Sequence, residues 1–140
     1  MSYVTLLAAS HPMPLYDPGL RRVSASGAFS VETPGFSIQP HEYYRDAVED
    51  LDLNMKPYQY ELDVQATTEE AALLRAYLEQ HTSPGEQVEL WTVWVGSDRA
   101  LQIPHFRGRL ADLDQEALEQ LCNPPEQNGC PGQCRMTVTI

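Results

Sequence analysis

The stretch YQYELDVQATTEEAALLRAYLEQH, residues 58–81, decides the fold class, because its hydrophobic period changes within a few residues. In residues 58–66 polar and apolar side chains alternate, which is typical of a strand with one buried face. From Thr67 onward the apolar positions follow helical spacing, and Thr67 with Glu70 matches a capping box at a helix start. The stretch therefore predicts a strand followed by an amphipathic helix that ends before the Ser-Pro-Gly at 83–85.

Four further elements follow this pair along the chain. QVELWTVWVG, residues 87–96, is apolar on both faces, as expected of an interior strand covered on two sides. HFRGRL, residues 105–110, predicts a strand, DLDQEALEQLC, residues 112–122, predicts a short helix, and RMTVTI, residues 135–140, predicts a final strand. Residues 59–140 thus have the order strand, helix, strand, strand, helix, strand, which is the ferredoxin-like or split βαβ order. We predict an α+β fold of this type.

Residues 1–57 are expected to form an extension of this βαββαβ core, which occupies residues 58–140. Residues 2–9, SYVTLLAA, predict a strand that joins the edge of the sheet or covers a face, and residues 23–38 predict a loop or a weak hairpin. Residues 41–52 predict an acidic amphipathic helix of about three turns, with Pro40 in the first helical position. We find no linker, so we predict one domain over residues 1–140.

The balance of charge restricts the kind of partner. The chain has 20 acidic and 9 basic side chains, which gives a net charge of -11. Such a charge opposes direct binding to nucleic acid or to an anionic membrane and favours a basic protein surface as partner, although simple solubility is the plainer explanation. The sequence has no apolar run long enough to span a bilayer and no basic segment before its first apolar run, so we expect a cytoplasmic protein.

Four carboxylates recur at helical spacing within the predicted acidic helix: Glu42, Asp46, Glu49 and Asp50. They would share one face and span about 12 Å of helix axis. Such a row can imitate the phosphates that a nucleic-acid-binding protein contacts through lysine and arginine, whereas the plainer alternative is a solvated outer face. Further carboxylates would extend the patch if they lie nearby: Asp52, Glu61, Asp63, Glu69 and Glu70.

The three cysteines lie close together in sequence, at Cys122, Cys130 and Cys134. Their C-x7-C-x3-C spacing lacks the paired knuckles of common structural zinc sites and supplies three ligands where four are normal, so His105 would have to complete a zinc site. An odd number of cysteines in a cytoplasmic chain favours free thiols over a disulfide. Zinc is therefore the alternative, and the expectation is no cofactor.

His105, Arg107 and Arg109 alternate along one predicted strand and share one of its faces. Three residues of this kind could form a small anion-binding site. The alternative is that the arginines pair with the surplus carboxylates or lie over aromatic rings.

We therefore expect a non-enzymatic interaction module or inhibitor that uses an acidic surface to bind a basic partner. The sharpest form of this hypothesis is a nucleic-acid mimic, such as a phage or mobile-element protein that acts against a host nuclease. The alternative function is a small-ligand or zinc-binding regulatory domain, or a minor enzyme, with its site near the C-terminal cysteine loop. The sequence leaves the oligomeric state open.

Overall fold

The computed structural model describes residues 2–19, 21–95, 103–126 and 129–140. Its strands are β1 Ser2–Ala9, β2 Arg21–Ser26, β3 Phe29–Pro34, β4 Ser37–Pro40, β5 Tyr58–Asp63, β6 Gln87–Val95, β7 His105–Arg109 and β8 Cys134–Thr139. Its helices are α1 Arg45–Asp50, α2 Thr68–His81 and α3 Gln115–Cys122, with a 3-10 turn at Leu110–Asp112. Helices and mostly antiparallel strands together confirm the α+β class.

Six of the strands form one sheet in the order β4-β5-β1-β6-β8-β7. All neighbours in it are antiparallel except β7 and β8, which are parallel and joined through α3. The remaining strands, β2 and β3, pair with each other as a separate hairpin, as one of the two alternatives for residues 23–38 predicted. None of the described helices has the length and apolar character needed to cross a bilayer.

The ferredoxin-like arrangement expected for the core is wrong, although the order of elements along residues 58–140 is as predicted. In that arrangement the third strand of the βαββαβ unit, here β7, would lie between the first two, β5 and β6. In this sheet β1 takes that place and β7 lies at the far edge. The reason is burial: β1 buries both faces through residues such as Leu6 and Leu7, whereas β7 carries two exposed arginines that suit an edge.

The two faces of the sheet are covered differently. On one face α2 and α3 enclose the larger core, which includes Leu7, Leu74, Leu90 and Met136. On the other face a smaller core around Trp91 is covered by α1, which contributes Val48, and by the segment that follows it. Because this second cover is short, polar side chains at both ends of that face reach solvent.

The acidic helix is shorter than expected and covers only Arg45–Asp50. Pro40 belongs to β4 rather than to the helix, and His41 is buried, at 2% exposure, in the turn between them. Tyr44, with a φ of 59°, has a left-handed backbone that no α-helix can continue through. Asp52, which also has a left-handed backbone, follows the last turn. Repulsion among the acidic side chains of this segment disfavours a longer helix as well.

A buried ion pair fastens the β2–β3 hairpin to the sheet. The Arg22 guanidinium donates to both carboxylate oxygens of Glu70 and to Asp63 Oδ1 at 3.0 Å. Glu70 Oε1 also accepts from the backbone amide of Gln65 at 2.9 Å. The predicted capping box is therefore half formed: Thr67 Oγ1 accepts from the Glu70 amide at 3.1 Å, but the Glu70 carboxylate binds Arg22 and Gln65 instead of Thr67.

Candidate functional site

The predicted row of four carboxylates does not form. Asp46, Glu49 and Asp50 are exposed on α1, and Glu49 pairs with Arg45 at 3.3 Å in water-exposed surroundings. Glu42 precedes the helix and lies near Glu61 of β5 instead. The row fails because the chain enters α1 only at Arg45, so Glu42 does not share the helical period.

A groove with an acidic lining lies beside α1, where the first residues of β1 run past the end of its pairing with β5. Its volume is about 610 Å³. We call it the acidic groove and define it by Tyr3, Tyr43, Tyr44, Asp17, Glu61 and Asp63. All three tyrosines are exposed, and 71% of Tyr43 is accessible. Interfaces are enriched in tyrosine, so exposed tyrosines along one depression are characteristic of a binding surface.

One of the three carboxylates of the acidic groove is paired with a cation, and the other two form no ion pair with a described side chain. Burial raises the pKa of Glu61, and the neighbouring Glu42 carboxylate raises it further. Asp63 pairs with Arg22, and Asp17 accepts from the Gly19 amide at 3.1 Å. Among the side chains that the structure describes, no lysine or arginine lines the groove, so Asp17 and Glu61 make it a region of negative potential.

Sequence reasoning missed the acidic groove as a unit, although it named Glu61 and Asp63 as extensions of the acidic patch. The sequence features that indicated the groove were the polar face of β5 and the two consecutive tyrosines, Tyr43 and Tyr44. Of the other proposed extensions, Glu70 is buried and bound to Arg22.

A second groove, with a basic lining, lies on the same face of the sheet at the opposite edge. It has a volume of about 390 Å³. We call it the basic groove and define it by Lys56, Glu89, His105, Arg107, Arg135 and Thr137. His105 and Arg107 were expected to lie together on β7 and do so, with Arg107 Nη2 3.3 Å from His105 Nδ1. Arg109 shares their face of the strand but does not line this groove.

Glu89 lies at the base of the basic groove and is fully hydrogen-bonded. It is buried in β6, where its carboxylate accepts from the Lys56 amide at 2.8 Å and from Arg135 Nη2 at 2.7 Å. The Arg135 guanidinium also stacks over the Trp91 ring, with a carbon-to-centroid distance of 4.9 Å. The Glu89 and Arg135 pair therefore has a structural role that accounts for one positive charge of the groove.

His105 is neutral in this setting. Burial lowers the pKa of its imidazole, and the nearby Arg135 and Arg107 guanidinium groups lower it further. Because Arg107 donates to Nδ1, the proton lies on Nε2, which donates to Thr137 Oγ1 at 2.7 Å.

Two of the cysteines lie near each other, Cys122 at the end of α3 and Cys134 at the start of β8. Cys122 Sγ donates to the Val64 carbonyl at 3.4 Å, and Cys134 is fully buried in the core beneath the helices. Burial raises the pKa of both thiols to about 11, so neither is a ready thiolate. None of the three cysteines forms a disulfide.

The structure does not complete a zinc site around these thiols. His105, the expected fourth ligand, lies on the face of the sheet opposite Cys134, since it pairs in register with Arg135. Among the residues that the structure describes, no three His, Cys, Asp or Glu side chains are grouped so as to hold a metal ion. Residues 127 and 128 of this loop lie outside the described ranges.

Comparison of the chain with models of known protein families, with curated proteins and with solved structures returned no match.

Proposed function

We propose that the protein is a non-enzymatic, cytoplasmic binding protein whose acidic groove holds a basic segment of a partner protein. The observation that carries this proposal is the meeting of exposed tyrosines, among them Tyr43 and Tyr44, with three carboxylates in a depression that no lysine or arginine lines among the side chains that the structure describes. Lysine and arginine side chains can contact both the carboxylates and the tyrosines, since their charged groups pair with carboxylates and also lie favourably over aromatic rings.

The rest of the molecule supports approach of a basic partner. The net charge of -11 attracts such a partner over a distance set by the Debye length. Asp46, Glu49 and Asp50 project from α1, the helix that starts directly after Tyr43 and Tyr44, and extend the negative surface beyond the groove.

The partner that fits this chemistry best is a nucleic-acid-binding protein. Such proteins hold phosphates with exposed lysine and arginine side chains. A segment of this kind seated in the acidic groove would no longer be free to bind nucleic acid, so the protein would act as an inhibitor.

The proposal is tested with a peptide that alternates arginine and glycine, titrated by calorimetry at low ionic strength. We expect the Glu61→Gln and Tyr43→Ala variants each to weaken binding about tenfold, because each removes a charged or aromatic contact worth more than about 1 kcal/mol.

Matched controls separate a groove from general attraction to a negative protein. Glu79→Gln removes an exposed carboxylate on α2, and Phe29→Ala removes an exposed aromatic ring on the hairpin. Neither residue lines the acidic groove, so both variants should bind as the parent does. Equal weakening by Glu79→Gln and Glu61→Gln would reduce the binding to net charge and would refute the proposal.

A further inference from the structure

We infer that the basic groove is a binding site for the doubly charged phosphate group of a small ligand. This site is separate from the acidic groove, and it would hold such a ligand whether or not a partner protein is bound there. The basic groove has a surplus of positive charge, several hydrogen-bond donors, a size that admits a phosphate group and two cations that the fold does not need.

The basic groove carries a surplus of positive charge. Lys56, Arg107 and Arg135 bring three positive charges to the groove, and Glu89 is the one carboxylate among its described lining residues. The surplus of two positive charges stands in a protein whose net charge is -11. A dianion compensates this surplus, whereas a cation or a neutral ligand does not.

The groove offers several hydrogen-bond donors to a ligand. The Lys56 ammonium donates to Ser10 Oγ at 3.0 Å and has two further protons to offer, and the exposed Arg107 has a guanidinium fork whose geometry suits phosphate oxygens. Asn54 and Gln87, which also line the groove, carry side-chain amides that can donate to the same ligand.

The groove is large enough for a phosphate group and is built mainly from the sheet. A volume of about 390 Å³ exceeds the space that a phosphate group occupies and falls in the range of small-molecule pockets. Strand residues supply most of the lining: β7 gives His105 and Arg107, β8 gives Arg135 and Thr137, and β6 gives Glu89. A rigid sheet therefore fixes the spacing of the donors.

The fold does not account for all three cations of the groove. Arg135 pairs with Glu89 and stacks on Trp91, so it has a structural role. Within the part of the chain that the structure describes, neither Lys56 nor Arg107 forms an ion pair with a carboxylate, although acidic residues outnumber basic ones by 20 to 9. Two cations that line one groove and form no ion pair with its single described carboxylate are arranged for an external anion.

The experiment uses inorganic phosphate as probe, titrated by calorimetry while sodium chloride keeps the ionic strength constant. We expect saturable binding that Arg107→Gln and Lys56→Gln each weaken about tenfold. Arg109→Gln is the matched control, because Arg109 lies on the same strand face two residues beyond Arg107 and does not line the groove. It should bind phosphate as the parent does.

Absence of saturable binding, or equal weakening by Arg109→Gln and Arg107→Gln, would overturn the inference. A second titration with phenyl phosphate distinguishes the source of the phosphate group. Tighter binding than that of inorganic phosphate assigns the site to phosphate esters, and weaker binding assigns it to the free ion; in both cases the phosphate group is what the groove recognises. Loss of binding to the arginine peptide at the acidic groove would leave this result unaffected.

Discussion

At the scale of the residue, His41 is the least satisfied side chain of the described core. It is 2% exposed, and neither ring nitrogen makes a hydrogen bond of good geometry, although Gln59 and the Tyr43 backbone lie close to the ring. Burial lowers the pKa of the imidazole and the nearby Arg45 lowers it further, and together they outweigh Gln59, Tyr43 and Glu49, which raise it. The ring is therefore neutral in the folded protein, and protonation of it would place an uncompensated charge beneath α1.

The consequence is a loss of stability in mild acid. The unfolded chain takes up a proton at His41 near the ordinary pKa of 6.5, while the folded protein does so only at lower pH. Since the unfolded state then binds more protons, the free energy of unfolding should fall as the pH drops below about 6.5 towards the lowered folded pKa. Urea unfolding at about pH 7.5 and about pH 5.5 measures this change.

Two variants separate the contributions to that loss. His41→Gln should reduce the difference between the two pH values, and so should His105→Gln, because the pKa of His105 is lowered as well. His11, whose pKa is raised by the Pro12 carbonyl and by Glu86, contributes in the opposite direction, so the test is the comparison of parent and variants. If the double variant keeps the full difference of the parent protein, the interpretation of His41 fails.

At the scale of the element, two local arrangements hold the irregular parts of the chain. The Arg22 and Glu70 pair fixes the hairpin, with side chains only 13% and 9% exposed. Gly132 fixes the cysteine loop, because its backbone lies against the carbonyl oxygens of Pro124 and Pro125. Both arrangements join segments that have no regular pairing with the sheet.

Removal of the charge on Glu70 should be costly. Glu70→Gln leaves Arg22 buried with only the exposed Asp63 as a carboxylate partner, and we expect a loss of about 3 kcal/mol in the free energy of unfolding. Asp63→Asn, which removes the exposed partner of the same arginine, should cost less than about 1 kcal/mol. Urea denaturation compares the two; similar losses would show that the Glu70 carboxylate has no special role.

Gly132→Ala tests the close approach in the cysteine loop. A methyl group at this position would overlap the backbone of Pro124 and Pro125, and we expect a destabilisation of about 2 kcal/mol. Gly129→Ala is a useful comparison, because Gly129 has a φ of 76° but open space around it, so only the backbone strain of about 1 kcal/mol applies. A Gly132→Ala protein as stable as the parent in thermal unfolding would contradict the packing of this loop.

Local periodicity predicted β5, β6, β8, α2 and α3, because neighbours in sequence determine which face of each element is buried. It overestimated α1, since amphipathic spacing does not reveal that Tyr44 has a left-handed backbone. It also misplaced β1 and β7, because the position of a strand depends on partners far along the chain, and the apolar character of both faces of β1 was the available signal.

At the scale of the whole molecule, the two grooves are the ends of one row of side chains across the sheet. Glu61, Leu6, Trp91 and Arg135 are successive partners in register. Three strand spacings of about 4.8 Å separate the acidic end from the basic end by about 14 Å. His105 and Arg107 were predictable from β7 alone, but Lys56 comes from a loop and Arg135 from another strand, so the sequence could not show that they converge.

The central place of β1 also affects how the chain folds during synthesis. β1 is made before all its partners, and its two neighbours in the sheet, β5 and β6, begin only at Tyr58 and Gln87. Until β6 has left the ribosome, an apolar strand with two unpaired edges must wait without its partners, which exposes it to aggregation or to chaperones. Closure of such long loops also makes folding slow compared with that of a protein whose neighbouring strands are consecutive in sequence.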